Sequence, residues 1–253
     1  MIDIHTHVLP GLDDGAGTVE EGLQMVKLAA ASGCTHLVAT PHANAEFQFD
    51  EERFEATFRS LSALSTGLIN LYRGCDCHLT LQNLEGALLR PSKYTINGSR
   101  YLLAELPDFL GPSVVWEQLQ TLIYSRICPI ITHPERNISL QFNTKRLEQW
   151  VAGGCLVQVT AQSFLGRFGS DAKHSVERLM DADLVHFVAS DAHDCVDRPP
   201  TLSKAHERVS SRWGPERAQR LFIDNPAAVI ADAPIESARP SKRRFSLFSL
   251  VSK

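Results

Sequence analysis

Two histidines stand two residues apart near the start of the chain, in Met1-Ile-Asp-Ile-His5-Thr-His7, at the end of a short apolar run. Residues two apart on a strand share a face, so His5 and His7 can present two imidazoles to one ion. A second apolar run, Thr35-His-Leu-Val-Ala-Thr-Pro-His42, ends in a third histidine. Further runs end in or near Asp76, Glu105, His133 and the pair Asp191 and His193. Each has an ordinary reading when taken alone: a loop histidine for His133, a surface acid for Glu105, a helix cap for Asp191. The recurrence of such side chains at successive strand ends is what points to metal chemistry.

Five histidines with Asp14, Asp76, Glu105 and Asp191 offer more ligands than the four of one zinc ion, so two or three ions with bridging carboxylates are expected. Mixed nitrogen and oxygen donors without thiolate suit Mn, Fe or Zn, and so many imidazoles argue against Mg alone. Clustered divalent ions stabilise attacking and leaving oxygens in phosphoryl transfer and generate hydroxide near neutral pH. Arg136, in His133-Pro-Glu-Arg, and Arg198, just after Asp191-Ala-His, lie beside the ligands. Guanidinium is the usual bidentate partner of phosphate oxygens, so both are candidates to hold the substrate, against a plain salt bridge such as Arg136 with Glu135. None of the six cysteines has an arginine six positions on, which excludes a cysteine phosphatase loop, and no Gly-x-Ser-x-Gly elbow or phosphate-loop motif occurs.

The elements that must position these groups alternate. Thr18-Val-Glu-Glu21 is a capping box that opens a helix, and Gly33 ends it. Asp50 caps a second helix with Phe54, Phe58, Leu61 and Leu64 on one stripe, stopped by Gly67. Residues 68–79 read as one strand on which Gly74, Asp76 and His78 share a face. Residues 94–105 read as a hairpin around Asn97-Gly98, its second arm ending at Glu105. Helices are predicted over 112–126, over 144–152 and from Ser170 or Asp171 to about Met180. Two or three more lie between Thr201 and Ala231, one with Pro226 in its first turn. Strands end at His133, Thr160 and His193. About seven strand–helix alternations call for an α/β fold, a parallel sheet closed or nearly closed into a barrel. Reactive groups of such barrels gather at the C-terminal strand ends. His36 and His186 sit at strand starts, the opposite end, and are given packing or solvent roles, as are His174 and His206.

The 253 residues are 43% hydrophobic and 21% charged, an ordinary globular composition that one large domain can hold. No apolar run approaches a membrane span, and Asp3, His5 and His7 interrupt the start where a signal peptide would need an apolar stretch. The cysteines Cys34, Cys75, Cys77, Cys128, Cys155 and Cys195 form no Cys-x-x-Cys and read as reduced thiols, so a cytoplasmic protein is expected. The tail from Arg239 holds five of the 25 basic residues and none of the 29 acids, which leaves the preceding body at −9. An acidic body disfavours nucleic acid and suits multivalent cations.

Met1-Ile-Asp-Ile-His-Thr-His-Val-Leu-Pro-Gly-Leu-Asp-Asp-Gly15, Ala39-Thr-Pro-His42, Leu102-Leu-Ala-Glu-Leu106, Thr132-His-Pro-Glu-Arg136 and Ser190-Asp-Ala-His193 together resemble the PHP (polymerase and histidinol phosphatase) superfamily. Within it the chain is similar to the CpsB/YwqE type of manganese-dependent protein-tyrosine phosphatase from capsule and exopolysaccharide loci. The resemblance implies a distorted (β/α)7 PHP barrel over residues 1–232 with its metal site at the C-terminal strand ends. It implies that His5, His7 and Asp191 ligate one ion, Glu105 and His133 surround a second, and Asp14, His42 and His193 ligate a third. Asp14 rather than Asp13 carries over because it directly precedes Gly15. The family's bridging glutamate on the third strand is here Asp76, one methylene shorter. His78 shares the face of Asp76 and is expected behind the ligands or against substrate.

The implied activity is hydrolysis of phosphotyrosine on protein by attack of a metal-generated hydroxide, with two or three Mn2+ ions, or Fe or Zn in their place. The implied partner is a phosphotyrosine-bearing bacterial tyrosine autokinase controlling capsule or exopolysaccharide synthesis. A small-molecule phosphatase of the histidinol-phosphate type is the alternative within the superfamily. A non-catalytic polysaccharide-assembly scaffold is the alternative of another class. The oligomeric state is left open. The tail, residues 233–253, reads as basic and disordered. Its Phe245, Leu247, Phe248, Leu250 and Val251 also allow a short membrane-surface or partner-binding helix, which would place the protein at the inner face of the membrane.

Overall fold

A computed structural model of the chain describes residues 1–107 and 111–235; of the basic tail, 233–253, residues 236–253 lie outside the described residues. The strands are β1 (Ile2–Thr6), β2 (His36–Ala39), β3 (His42–Ala43), β4 (Asn70–Arg73), β5 (Asp76–His78), β6 (Tyr101–Glu105), β7 (Cys128–Thr132), β8 (Leu156–Thr160) and β9 (Phe187–Ala189). All pair in parallel, in the orders β1-β2-β4 and β3-β5-β6-β7-β8-β9. The two sheets share two chain runs: β2 continues as β3 after Thr40-Pro41, and β4 as β5 after Gly74-Cys75. The order therefore runs on through both. It also returns to its start, because Thr6 bridges Ala192 in parallel, the His7 N–H donates to Ala192 O (2.8 Å) and the Asp191 N–H to His5 O (2.9 Å).

Parallel pairing requires crossovers, and helices supply them. They are α1 (Val19–Ala31), α2 (Glu51–Leu64), α3 (Leu81–Leu89), α4 (Pro91–Tyr94), α5 (Pro112–Tyr124), α6 (Thr144–Ala152), α7 (Gly169–Asp181) and α8 (Ser203–Trp213). The first two begin as their sequence signals require. Thr18 accepts the N–H of Glu21, while Glu21 reaches back to the N–H of Gly17; Asp50 accepts from Glu52 and Arg53. Strand alternation divides the core in two. Leu37, Leu102, Ile131, Val157 and Val188 pack outward against helix residues such as Met25, Leu119 and Val176. Ile2, Ile4, Val38, Tyr101, Leu103, Ile130, Leu156 and Phe187 fill the other face, with Ile96 and Val229 beside them. No helix of the described residues is long and apolar enough to cross a membrane.

Two local expectations are corrected. The strand read over 68–79 is two strands, because the chain bends at Gly74. A Cβ there would stand 2.7 Å from Val38 Cγ1 and 2.8 Å from Thr40 Cγ2, so only glycine lets this run pass its neighbour where both bend. The hairpin around Asn97-Gly98 does not form. Both residues take positive φ (51° and 67°), as the dipeptide prefers, but they turn the chain from α4 into β6. Both edges of β6 are already filled, by β5 and β7, so no place is left for a hairpin arm. Pro226 stands in the first turn of the helix Asn225–Ile230, as expected, but that helix continues a preceding one. Helical backbone runs from Pro215 through a π-turn at Arg220–Asp224 to Ile230, and the wider turn accommodates a residue that has no N–H to give.

His186 lies at the base, 2% exposed, and its Nδ1 accepts the N–H of Val157 (3.1 Å). Burial, then the charge of Arg220, pushes its pKa down to about 4. The unfolded chain, with an imidazole near 6.5, therefore takes up the proton first. Stability from this group is full above pH 6.5 and falls as the pH drops toward 4, by about 2 kcal/mol at pH 5. His186→Asn keeps an acceptor at that point and removes the titration. Urea unfolding at pH 7 and pH 5 is expected to show the wild type losing about 2 kcal/mol more than the variant; equal losses would contradict it.

Candidate metal centre

The strand ends converge as barrel geometry requires. His5 and His7 come from the end of β1, His42 opens β3, Asp76 opens β5, Glu105 ends β6, His133 follows β7, and Asp191 and His193 follow β9. In β1 the pairing register slips between Asp3 and Thr6. Such an irregularity lets consecutive residues serve one side. Ile4 joins the inner cluster while its neighbour His5 meets Gln158, Asp76 and Asp191. Gly15 is fixed by the same convergence, since a Cβ there would lie 2.1 Å from His7 O.

Three groups of ligand atoms each lie within 4.8 Å of one another: His7, Asp14, His42 and His193; His5, His7 and Asp76; His42, Asp76 and Glu105. His7 and His42 each belong to two groups, so they cross the boundaries between the ion sets the resemblance implied. Asp191 borders the groups, with Oδ1 3.4 Å from both His5 Nε2 and His7 Nε2. His133 stands further out, its Nε2 3.8 Å from Glu105 Oε1. The shortened acid still lies between two histidines: Asp76 Oδ2 is 3.5 Å from His5 Nε2 and 3.1 Å from His42 Nδ1. His78 pairs in register with Glu105 and lines, with Glu105, His133 and Arg136, a cavity of about 200 Å³ beside the centre.

These side chains fit divalent ions. Ligand atoms ~2.0–2.2 Å from an ion stand roughly 3.0–3.6 Å apart, the spacing found between most of these donors. Both Asp76 oxygens are buried and accept no hydrogen bond among the described residues, a costly state for a carboxylate that an ion would relieve. The imidazoles are also aimed. His7 Nδ1 is 2.6 Å from Asp13 Oδ2, and His5 Nδ1 is 3.0 Å from Gln158 Oε1, which leaves both Nε2 atoms toward the centre, 3.2 Å apart. Asp13 also accepts the N–H groups of Gly15 and His42. Sequence reasoning passed over Asp13 and Gln158. The only sign of Gln158 was a polar residue inside the apolar run of β8; adjacent Asp13 and Asp14 gave no sign that they divide the work.

The electrostatics follow from burying many carboxylates together. Burial disfavours a charged imidazole, but the Asp76 and Asp191 charges overcome it at His5 and push its pKa up to about 9. His42 rises to about 10 against burial, through Asp76 and then Glu105. Glu105 is pushed up to about 7 by burial and by Asp76. His133 is pushed down to about 3 by burial and by Arg136, and so stays in the neutral form that ligates. Asp191 is held well below the carboxylate range, His5 and Arg136 outweighing its burial. Without ions, protons on His5 and His42 balance these acids, and a bound cation would displace them.

Arg136 Nη1 and Arg198 Nη2 both donate to Asp191 Oδ2, the latter at 2.6 Å, so both arginines stand at the edge of the centre. The turn that carries Arg136 is pinned from below. Glu135, fully buried, accepts from the Thr160 N–H (2.9 Å) and the Ser163 hydroxyl (2.6 Å). Asp194 accepts the N–H groups of Val196, Asp197 and Arg198 and so fixes the loop that carries Arg198. His133 and Asp191 hold positive φ (32° and 52°) without being glycine, at a cost of ~1–3 kcal/mol each.

A parallel α/β fold with imidazoles and carboxylates clustered at its C-terminal strand ends is the class that this geometry defines. Comparison with known proteins narrows it. The description capsular polysaccharide synthesis, CpsB/CapC, matches residues 1–231, and the chain belongs to that family. It is 37% identical over 211 residues to a putative tyrosine-protein phosphatase CapC of Staphylococcus aureus, covering 81% of each. It is 31% identical over 252 residues to the tyrosine-protein phosphatase YwqE of Bacillus subtilis, covering 96% of this chain and 98% of that one. Its structure is similar to one from the crystal structures of YwqE from Bacillus subtilis and CpsB from Streptococcus pneumoniae, metal-dependent tyrosine phosphatases, with TM-score 0.87, 29% identity, and coverage of 96% of this chain and all of that one.

The hydrogen bond from His7 to Asp13 carries an expectation. Asp13→Ala keeps every candidate ligand but frees the ring of His7, and the apparent affinity for a divalent ion should fall about 10- to 100-fold. Competition with a chromogenic chelator measures this; unchanged affinity would show that Asp13 does not orient the ring.

Proposed function

We propose that the domain over residues 1–232 is a metal-dependent phosphatase that hydrolyses phosphotyrosine on protein. His5, His7, Asp14, His42, Asp76, Glu105, His133, Asp191 and His193 would hold two or three ions. Manganese suits this set of imidazole and carboxylate donors, with Fe or Zn the ions it must be tested against. Ions bound there would supply Lewis acidity toward phosphoryl oxygens and an acidified water.

The observation that carries the reading is the double use of Asp191. Its Oδ1 faces His5 and His7, and its Oδ2 accepts from Arg136 and Arg198. One carboxylate thus sets the distance between the ion site and two guanidiniums. The remaining N–H groups of Arg136 and Arg198 bind the non-bridging oxygens of a phosphate, and their charge is worth most on the charge that develops during transfer. Asp13 and Gln158 keep the imidazole protons on Nδ1 and away from the ions. A phenolate leaves with pKa ~10, so tyrosine needs little protonation where an alkoxide would need much. The names of the relatives support phosphotyrosine on protein, and the family description supports a place in capsular polysaccharide synthesis; the protein substrate in this reading is a tyrosine autokinase controlling capsule or exopolysaccharide synthesis. Meeting such a kinase would place the protein at the inner face of the membrane.

Three substrates decide between the readings: a phosphotyrosine peptide, a phosphoserine peptide and histidinol phosphate, each with the Mn-loaded protein. The expected order in kcat/KM puts phosphotyrosine first by at least about tenfold. Preference for histidinol phosphate would move the protein to the small-molecule class. Asp191→Ala removes an ion ligand and the arginine anchor together, so kcat/KM should fall by at least about 10³-fold with loss of bound metal. Full activity in that variant would reject the site.

A further inference from the structure

We propose that Phe168 is a positioning residue that holds Arg136 and Arg198 as a two-pronged phosphate clamp. This rests on the reading of those two arginines as the phosphate-binding groups. The guanidinium carbon of Arg136 lies 4.2 Å from the centroid of the Phe168 ring, and that of Arg198 lies 5.9 Å from it. Phe168 is half-buried and belongs to neither of the two buried apolar clusters. The ring is therefore placed where packing does not demand it, against two cations.

The chain invests in that placement. Phe168 sits between two glycines at positive φ, Gly166 (82°) and Gly169 (88°), in a turn closed by Arg167 N–H to Gln162 O (3.2 Å) and Gly169 N–H to Gly166 O (3.1 Å). The same turn is tied to the loop of Arg198 by Arg167 and Asp197, 2.6 Å apart, and rests on Ser163, which donates to Glu135 beside Arg136. The loops after β7, β8 and β9 thus meet at one aromatic ring.

The physical need is plain. Two guanidiniums that share one carboxylate oxygen repel each other, and each is only 24% exposed, so water screens them little. The negative face of an aromatic ring attracts cations, more strongly where they are partly desolvated. A guanidinium laid on a ring keeps its N–H edge free in its own plane, which is the edge that grips phosphate. Phe168 therefore supplies attraction without consuming donors. A second carboxylate in its place would occupy those donors and repel the phosphate.

The test uses the metal-loaded full chain and two probes, competitive inhibition by inorganic phosphate and steady-state hydrolysis of p-nitrophenyl phosphate. Phe168→Leu keeps an apolar side chain without the quadrupole. It should weaken phosphate inhibition and raise KM about three- to thirtyfold, with a smaller change in kcat and with bound metal and Tm unchanged. Phe168→Tyr and Phe168→Trp, which keep a ring face, should stay within about threefold of the wild type. In an Arg136→Ala, Arg198→Ala background, Phe168→Leu should change phosphate inhibition by less than about twofold. If the arginine variants weaken phosphate binding while Phe168→Leu alone matches the wild type, the role of Phe168 is overturned and the clamp stands. If Phe168→Leu is as damaging without the arginines as with them, the ring acts otherwise and the proposal fails. If removing both arginines leaves phosphate inhibition unchanged, the clamp reading itself fails.

Discussion

The structure of the site depends on one buried carboxylate. Asp191 is 2% exposed and has three imidazoles, of His5, His7 and His193, near one oxygen and two guanidiniums on the other. A carboxylate moved from water to such a place without partners would be strongly disfavoured. The strands compensate by delivering cationic or hydrogen-bonding groups from β1, the β7 loop and the β9 loop to the same few ångströms. The backbone at Asp191 is bent into the left-handed region to reach this position, and its N–H is still satisfied, by His5 O. The hydrogen bond that helps close the strand order therefore also fixes the residue that joins the ligands to the arginines.

Around this point the fold trades stability for chemistry in a graded way. Below the centre the inner face is aliphatic and aromatic, from Ile2 and Tyr101 to Phe187, and asks nothing of the backbone but regular pairing. One layer higher come polar residues that brace the candidate ligands and arginines: Gln158 behind His5, Asp13 behind His7, Glu135 beneath Arg136. Above them are the ligand candidates, with a strand irregularity at β1, two non-glycine residues at positive φ and one carboxylate, Asp76, that accepts no hydrogen bond among the described residues. Such local conflicts persist only where the surroundings over-determine them, and here the buried layers beneath do so.

The loops divide their duties. The Asp13–Gly15 turn after β1 brings one acid to the imidazole of His7 and its neighbour to His42 and His193. The loops after β7, β8 and β9 bring two arginines to the edge of the centre and bind one another through Glu135, Phe168 and the pair of Arg167 with Asp197.

Much of this was legible in the residues themselves. Short apolar runs alternating with capped helices pointed to a parallel α/β fold, because apolar runs and helix-end signals are local properties of the chain. The coincidence of His5, His7, His42, Glu105, His133 and Asp191 with strand ends marked where chemistry would gather, since a parallel barrel presents those ends on one face. What the sequence could not carry was contact between distant residues. Asn97-Gly98 had the turn chemistry of a hairpin, yet the edges of β6 were already filled. His7 and His42 were counted once each, yet each lies in two ligand groups. Gln158, 153 residues beyond His5, and Phe168, 32 residues beyond Arg136, acquire roles only through the closure of the fold. Residue type and spacing determine which groups are available and which strand ends they share. Distances and burial, set when the whole sheet curves back on itself, decide which of those groups meet.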